Sequence, residues 1–370
     1  MEELSTKALS LAQMLGLKAV VPYTNNKVLP LQAADPALLY GLELEIENVP
    51  NFDEMVVTGM TSVEDGSLRN YGREFLTKPA TFSVVHNILT RFFEKNKLTE
   101  LNYSERTSVH VHANCQDLTQ EQIASVCLLY QVFEKLLYEF VGEERDKNIF
   151  CIPWDQTLLS YASVSNLLGG KGVMGLKSWQ KYTGLNLLPL FSLGTMEFRH
   201  MAGTNDLNKI STWLNLIGSL FSYARKNTIN EIKEMLVNLN TTSAYDDTTH
   251  RVFTYWTKSL TELQNYRFML EEGVLNMKYS LLKAPEPATL YSSIIAQRAA
   301  AAPQGGLQAA GQNNIINTVA AQSTAAVGAR VPNFFDTPRE ARLELAQLQA
   351  QIRADVLGFL DDAQTDEGPR

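Results

Sequence analysis

From Tyr40 to Glu47 the chain reads Tyr-Gly-Leu-Glu-Leu-Glu-Ile-Glu, so Leu42, Leu44 and Ile46 alternate with Glu43, Glu45 and Glu47. An extended chain places alternate side chains on opposite faces, which gives this strand one aliphatic row and one row of three carboxylates. The aliphatic row must be buried. The carboxylates must reach either water or compensating charge, because an uncompensated buried carboxylate is very costly. Two placements meet that condition: the solvated outer face of an edge strand, or an interior strand whose glutamates are paired or hold cations. On the second reading Glu43 and Glu45 are the leading metal ligands.

Three further segments bear on the choice. Glu64-Asp65-Gly66-Ser67 has turn composition and leads into Gly72-Arg73-Glu74-Phe75, where a strand over 73–77 places Glu74 to join the first two glutamates in an oxygen-rich cluster. A strand over 107–113 carries His110 and His112 on one face, two of the five histidines in the chain. Such a pair suits zinc, a phosphate or Mg²⁺ site, or simply a polar strand face. Lastly, a strand over 195–201 aims Glu197 and Arg199 to one side, with His200 facing away or at the rim. A carboxylate beside a guanidinium is what a migrating phosphoryl group on a metal requires, and it is also an ordinary salt bridge.

The elements between these strands are helical. A first helix is expected from Ser5 to Leu15, stopping at Gly16. Pro79 precedes a helix with Val84, Val85, Ile88, Leu89 and Phe92 on one side, and Thr119 with Gln122 forms a capping box for a long helix reaching Phe140. Asp206 to Ala224 carries a helical stripe, and Thr228 with Glu231 opens another capped helix. The order is α+β, without βαβ repeats. Residues 286–336 are rich in Ala, Gln, Gly and Asn and read as a linker. Thr337, Pro338 and Glu340 then start an amphipathic helix over 337–362 that needs a partner surface, on its own body or on another subunit.

Composition narrows the partners. A net charge of -8 leaves no basic surplus for nucleic acid, and no apolar run approaches the roughly 18 residues of a membrane span. The first residues lack the basic region of a secretory signal, so the expectation is a cytoplasmic protein. Cys115, Cys127 and Cys151 are odd in number and without C-x-x-C spacing, which makes them core residues in this reading.

In order along the chain the motifs are Gly41-x-Glu43-x-Glu45, Asp65-Gly66-Ser67 with Glu74, His110-Val111-His112, and Gly194-Thr195-x-Glu197-Phe198-Arg199. Between them lie Glu144-Arg145-Asp146 with Asn148, and Lys181-Tyr182-Thr183-Gly184-Leu185-Asn186. Together they resemble the amidoligase family, carboxylate–amine ligases related to glutamine synthetase and glutamate–cysteine ligase, known from bacteriophages and bacteria. The resemblance covers about residues 38–225. It implies a glutamine synthetase-like antiparallel sheet, helices packed on one side, and ATP with two or more Mg²⁺ ions on the other.

By carry-over, Glu43, Glu45, Glu74, His110 and Glu197 hold metal, while Glu74, His112, Lys181 and Asn186 bind the nucleotide. Lys181 stands where an arginine is common, keeping the charge but losing the bidentate fork. Arg199 and Arg106 contact the γ-phosphoryl group as it passes to a substrate carboxylate. Asp65 or Ser67 orients the substrate or accepts its proton. The substrates implied are a small-molecule or peptide carboxylate and an amine. A metal-dependent hydrolase built on the same Glu and His groups, and a non-catalytic interaction protein with a solvated acidic face, are the rivals.

The organisation expected is an N-terminal extension over 1–37, a catalytic domain over 38–285, the linker and the last helix. Truncation after residue 285 should therefore leave ATP affinity unchanged in equilibrium titration, and loss of binding would place part of the site in the tail.

Overall fold

The structure, a computed structural model, describes residues 8–281 other than 170 and 240. The linker and terminal helix expected from the sequence lie outside the described residues, as does Ser5, where the first helix is expected to start. The strands are β1 (Leu39–Ile46), β2 (Met60–Glu64), β3 (Arg73–Thr77), β4 (Ala80–Thr81), β5 (Ser108–Asn114), β6 (Leu185–Asn186) and β7 (Thr195–Ala202). They form one sheet in the order β2-β3-β1-β5-β7-β6, with β4 also paired to β1 and every ladder antiparallel. The helices are α1 (Leu11–Leu15), α2 (Phe52–Met55), α3 (Phe82–Asn96), α4 (Gln120–Val141), α5 (Leu158–Leu168), α6 (Leu207–Lys226), α7 (Ile229–Val237), α8 (Thr242–Phe253), α9 (Thr257–Thr261) and α10 (Tyr266–Leu281). The chain is thus a mixed α and β protein with an open antiparallel sheet, and its first compact unit runs to Met277 within α10.

β1 lies inside the sheet, hydrogen-bonded to β3 on one edge and β5 on the other, which removes the edge-strand placement of its glutamates. The aliphatic face is the core face. Leu42, Leu44, Phe75, Val109, Val111, Leu185 and Phe198 are all essentially inaccessible; β1 packs on α3, β7 packs on α4, and Phe198 meets Trp213 and Phe221 of α6. α4 is apolar almost all round and buries most of its length, as a helix must when it has the sheet on one side and α6, α7 and α9 on others. The capping boxes at Thr119/Gln122 and Thr228/Glu231 form as read, and Asp206 caps α6. The three cysteines are buried and free.

The first helix differs from the expectation. Among the described residues Ser10 is the N-cap, with Gln13 supplying the reciprocal half of a capping box, and the helix is Leu11–Leu15 before Gly16 turns left-handed. Leu11 is buried while Leu9 is exposed. The segment leading to β1 packs on the domain: Leu11 N bonds Leu118 O, Ala34 N bonds the Asn215 side chain at 2.9 Å, and Asp35 pairs with Arg225 at 3.0 Å.

One irregularity positions the functional side chains. From Val109 to Val111 β5 advances two residues while β7 passes from Met201 to Phe198, so Arg199 and His200 together face one residue of β5. This is a β-bulge, which re-aims side chains at the cost of ladder hydrogen bonds. Arg145, itself buried, repairs the loss: Nε donates to the His200 carbonyl at 2.7 Å and Nη2 to the Arg199 carbonyl at 2.9 Å. On the core side His200 sits 2.8 Å from the Tyr130 hydroxyl, and a Cβ on Gly184 would overlap Tyr138 Oη at 2.1 Å and crowd His200 Nε2 at 2.8 Å. Burial and the Arg145 charge hold His200 well below its ordinary pKa, and hence neutral.

Arg145→Met should leave two buried carbonyls unpaired and lower stability by about 3 kcal/mol in urea unfolding, since a hydrogen bond to a charged group contributes about 1.5–3 kcal/mol. A change within error would mean that water replaces the guanidinium.

Candidate metal and phosphate site

The second face of the sheet carries the polar row. Cross-strand partners share a face, and the registers Glu45↔Glu74, Glu43↔His110, His112↔Glu197 and Glu197↔Asn186 therefore run one continuous strip across β3, β1, β5, β7 and β6. Glu43 is its centre. His110 Nδ1 lies 3.0 Å from Glu43 Oε2 and His112 Nε2 3.0 Å from Oε1. Two sets of ligand atoms close to within 4.8 Å of one another: Glu43, Glu74 and His110, and Glu43, His112 and Glu197. The two sets share Glu43.

Neighbouring side chains hold these groups in place. Thr195 Oγ1 lies 2.9 Å from His112 Nδ1, which leaves Nε2 turned toward Glu43. Asn186 Nδ2 donates to Glu197 Oε2 at 2.7 Å, and Arg199 pairs with the other Glu197 oxygen. Arg199 is anchored behind by Nε donating to the Phe150 carbonyl at 3.0 Å. Ser108 donates to Glu45 and lies 2.7 Å from His110 Nε2. Ser108, His110 and Glu43 have the connectivity of a nucleophile, base and orienting acid. Ser108 is nonetheless buried with its proton committed to Glu45, so its part is to position His110.

The electrostatics follow from crowding. Burial works against ionised Glu43, but its bonds to His110 and His112 outweigh this and hold the carboxyl far below its ordinary value. Glu74 takes the opposite course. Burial, the charge and hydrogen bond of Glu43, and then the charges of Glu45 and Asp65 push it up to about 9, so it keeps a proton beside an ionised neighbour. Glu197 is buried, yet Arg199 and then the two histidines hold it down. Against burial, the Glu43 hydrogen bond and charge raise His112. Carboxylates mixed with imidazoles, backed by hydroxyl, amide and guanidinium groups, make a donor set suited to divalent cations, and a cation would relieve the strain between Glu43 and Glu74.

Not every candidate residue reaches the strip's centre. Glu45 is buried with one oxygen on Ser108, 3.9 Å from His110 Nδ1 by the other. Glu47, past the end of β1, accepts the Arg69 amide and fixes the β2–β3 loop. Asp65 closes its own turn, accepting from Ser67 N at 2.8 Å and Ser67 Oγ at 2.9 Å, and Arg106 donates to the Ser67 carbonyl at 2.9 Å. These three make the loop, and of them Asp65 acts on the cluster through its charge on Glu74. Lys181 is exposed, with its ammonium 5.7 Å from the Tyr182 ring. Arg145 and Thr195 stand within motifs of the sequence without a role assigned to them, and Ser108 stands only within the His110 strand. Alternation from His110 and Glu197 does put Ser108 and Thr195 on the polar face, whereas nothing local foretells that Arg145 serves a bulge on another strand.

Compared with known proteins, the chain matches no family model and no curated protein. The reading of the site consequently rests on its own chemistry.

Between pH 4.5 and about 9 an unfolded Glu74 has lost a proton that the folded one keeps, and the buried Glu134, raised to about 8, behaves alike. His112, raised from 6.5, adds the same sign. Folded protein binds more protons there, so without metal its stability should fall as pH climbs from 6.5 toward 9. Glu74→Gln should flatten the slope of urea midpoint against pH, and an unchanged slope would put the proton elsewhere.

Proposed function

We propose that this chain is an ATP-dependent carboxylate–amine ligase that makes an amide bond through an acyl phosphate, with Mg²⁺ or Mn²⁺. The observation that carries the reading is the pair of overlapping ligand sets on Glu43, with Arg199 bonded to Glu197 at their margin. Glu43, Glu74 and His110 on one side, and Glu43, His112 and Glu197 on the other, are the groups that would hold the cations. Bound divalent ions supply charge neutralisation for phosphate oxygens and a template for phosphoryl transfer.

The chain's own residues do the rest. Arg199 is pinned through Nε and through the Glu197 bond, which presets the guanidinium to take a phosphoryl oxygen without searching for its orientation. Asn186 and Thr195 hold Glu197 and His112 in the rotamers that face Glu43. In the reaction the γ-phosphoryl group leaves ADP for a carboxylate oxygen of the substrate. The amine nitrogen then attacks the acyl carbon, the bond to phosphate breaks, and inorganic phosphate departs as the amine loses a proton.

A second reading, a metal-dependent hydrolase, is favoured by one feature, the two imidazoles, which suit zinc and other transition metals better than Mg²⁺. The interaction-protein reading called for a solvated acidic face, and Glu45 and Glu197 are instead only 6% and 4% exposed. No described helix is long and apolar enough to cross a membrane.

Release of ADP and phosphate should be measured with Mg²⁺ or Mn²⁺ across pooled amino acids, amines and peptides. Amine-stimulated release is expected from the unaltered protein, reduced about 100-fold or more by Glu43→Gln and by Arg199→Ala, the scale of losing one preorganised charge-stabilising group. Equal background from all three proteins would end the ligase reading, and hydrolysis of test esters or amides without nucleotide would replace it with the second.

A further inference from the structure

Beside the strip, at the β6 end of the sheet, stands an aromatic group that the site chemistry leaves unused. Tyr182 precedes β6 and is 43% exposed, although the neighbouring residues 183–187 are buried. Its main chain is fixed: Ile152 N bonds the Tyr182 carbonyl at 2.7 Å, and Ile152 and Thr183 form a parallel bridge. Phe150 meets the ring edge-on with centroids 5.8 Å apart, and the same Phe150 supplies the carbonyl that anchors Arg199. The Arg199 guanidinium carbon is 6.0 Å from the Tyr182 centroid and the Lys181 ammonium 5.7 Å. A rigidly mounted ring, part open to solvent, thus adjoins two cations, one of which touches the metal-ligand candidate Glu197.

We infer that Tyr182 is the stacking platform for the base of a nucleoside triphosphate whose phosphates lie along Arg199 and Lys181 toward Glu197 and Glu43. This rests on the nucleotide reading above and adds to it the residue that receives the base. The physical case is a matter of placement. A planar base gains from a fixed aromatic ring, and the cations, which lie over the ring beyond van der Waals contact, stand where the polyanion attached to that base must pass. Lys181, too exposed to belong to the metal strip, finds a use as a point charge on that route. Stacking reads ring area, not hydrogen-bond pattern, so the site should prefer purines to pyrimidines while separating ATP from GTP poorly.

The test compares ATP with inorganic tripolyphosphate, which has the phosphates and no base, by calorimetry on the full chain with Mg²⁺. Tyr182→Ala should weaken ATP about tenfold, the scale of one lost base–aromatic stack, and leave tripolyphosphate unchanged. Tyr182→Phe should bind both like the unaltered protein, since the ring and not the hydroxyl is invoked. Unchanged tripolyphosphate affinity also reports that the Ala variant is folded. If Tyr182→Ala weakens both ligands alike, or if the unaltered protein binds ATP no better than tripolyphosphate, the platform is wrong although the phosphate site stands. Should the unaltered protein bind neither, the ligase reading itself has failed and the platform with it.

Discussion

Glu43 lies among groups that cannot all be satisfied at once. Its two oxygens face two imidazoles, and a second carboxyl, Glu74, keeps a proton because it is buried and because Glu43, then Glu45 and Asp65, surround it with negative charge. Like charges placed together away from water are tolerated only where opposite charge, protons or cations compensate them. The rest of the structure can be understood as what it takes to hold that arrangement. The carboxylates sit on hydrogen-bonded strands, His110, His112 and Glu197 are each braced by a neighbour, and the reverse of the sheet is a buried apolar layer.

That apolar layer explains why the site is rigid. Leu42, Leu44, Val109, Val111 and Phe198 alternate with the polar residues, and their burial fixes the register of β1, β5 and β7. A slip of one residue would turn every glutamate into the core, which makes the register among the best determined features of the molecule. The bulge at Arg199 and His200 is a departure from that register. It directs the guanidinium toward Glu197 and the neutral imidazole into the core, and Arg145 supplies the hydrogen bonds that the irregular backbone loses.

The two ligand sets are differently supported. The Glu197 side has Asn186, Thr195 and Arg199 as bracing partners, while the Glu74 side has Ser108 on His110 and, for Glu74, burial and its shared hydrogen bond with the charged Glu43. Such asymmetry suits a centre in which one cation is held firmly and another arrives with a phosphate-bearing ligand, which is the chemistry proposed for this chain. It also explains why Arg199 lies at the better-braced end, where a preset guanidinium is most useful.

Much of this could be read from the chain as a string. The alternation in Leu42 to Glu47 determined a two-faced strand, the spacing of His110 and His112 and of Glu197 and Arg199 determined that each pair shares a face, and the capping boxes at Thr119 and Thr228 marked their helices. Those features are local, set by backbone period and by side chains within four residues. Only the tertiary structure decided that β1 is interior, that Glu74 and Glu197 arrive on either side of Glu43, and that Asp65, Ser67 and Arg106 spend their polar groups on a loop. It alone revealed the bulge and its partner Arg145. These depend on strand order and register between segments far apart in sequence, which are settled by the burial of the apolar face as a whole and leave no mark within any one segment.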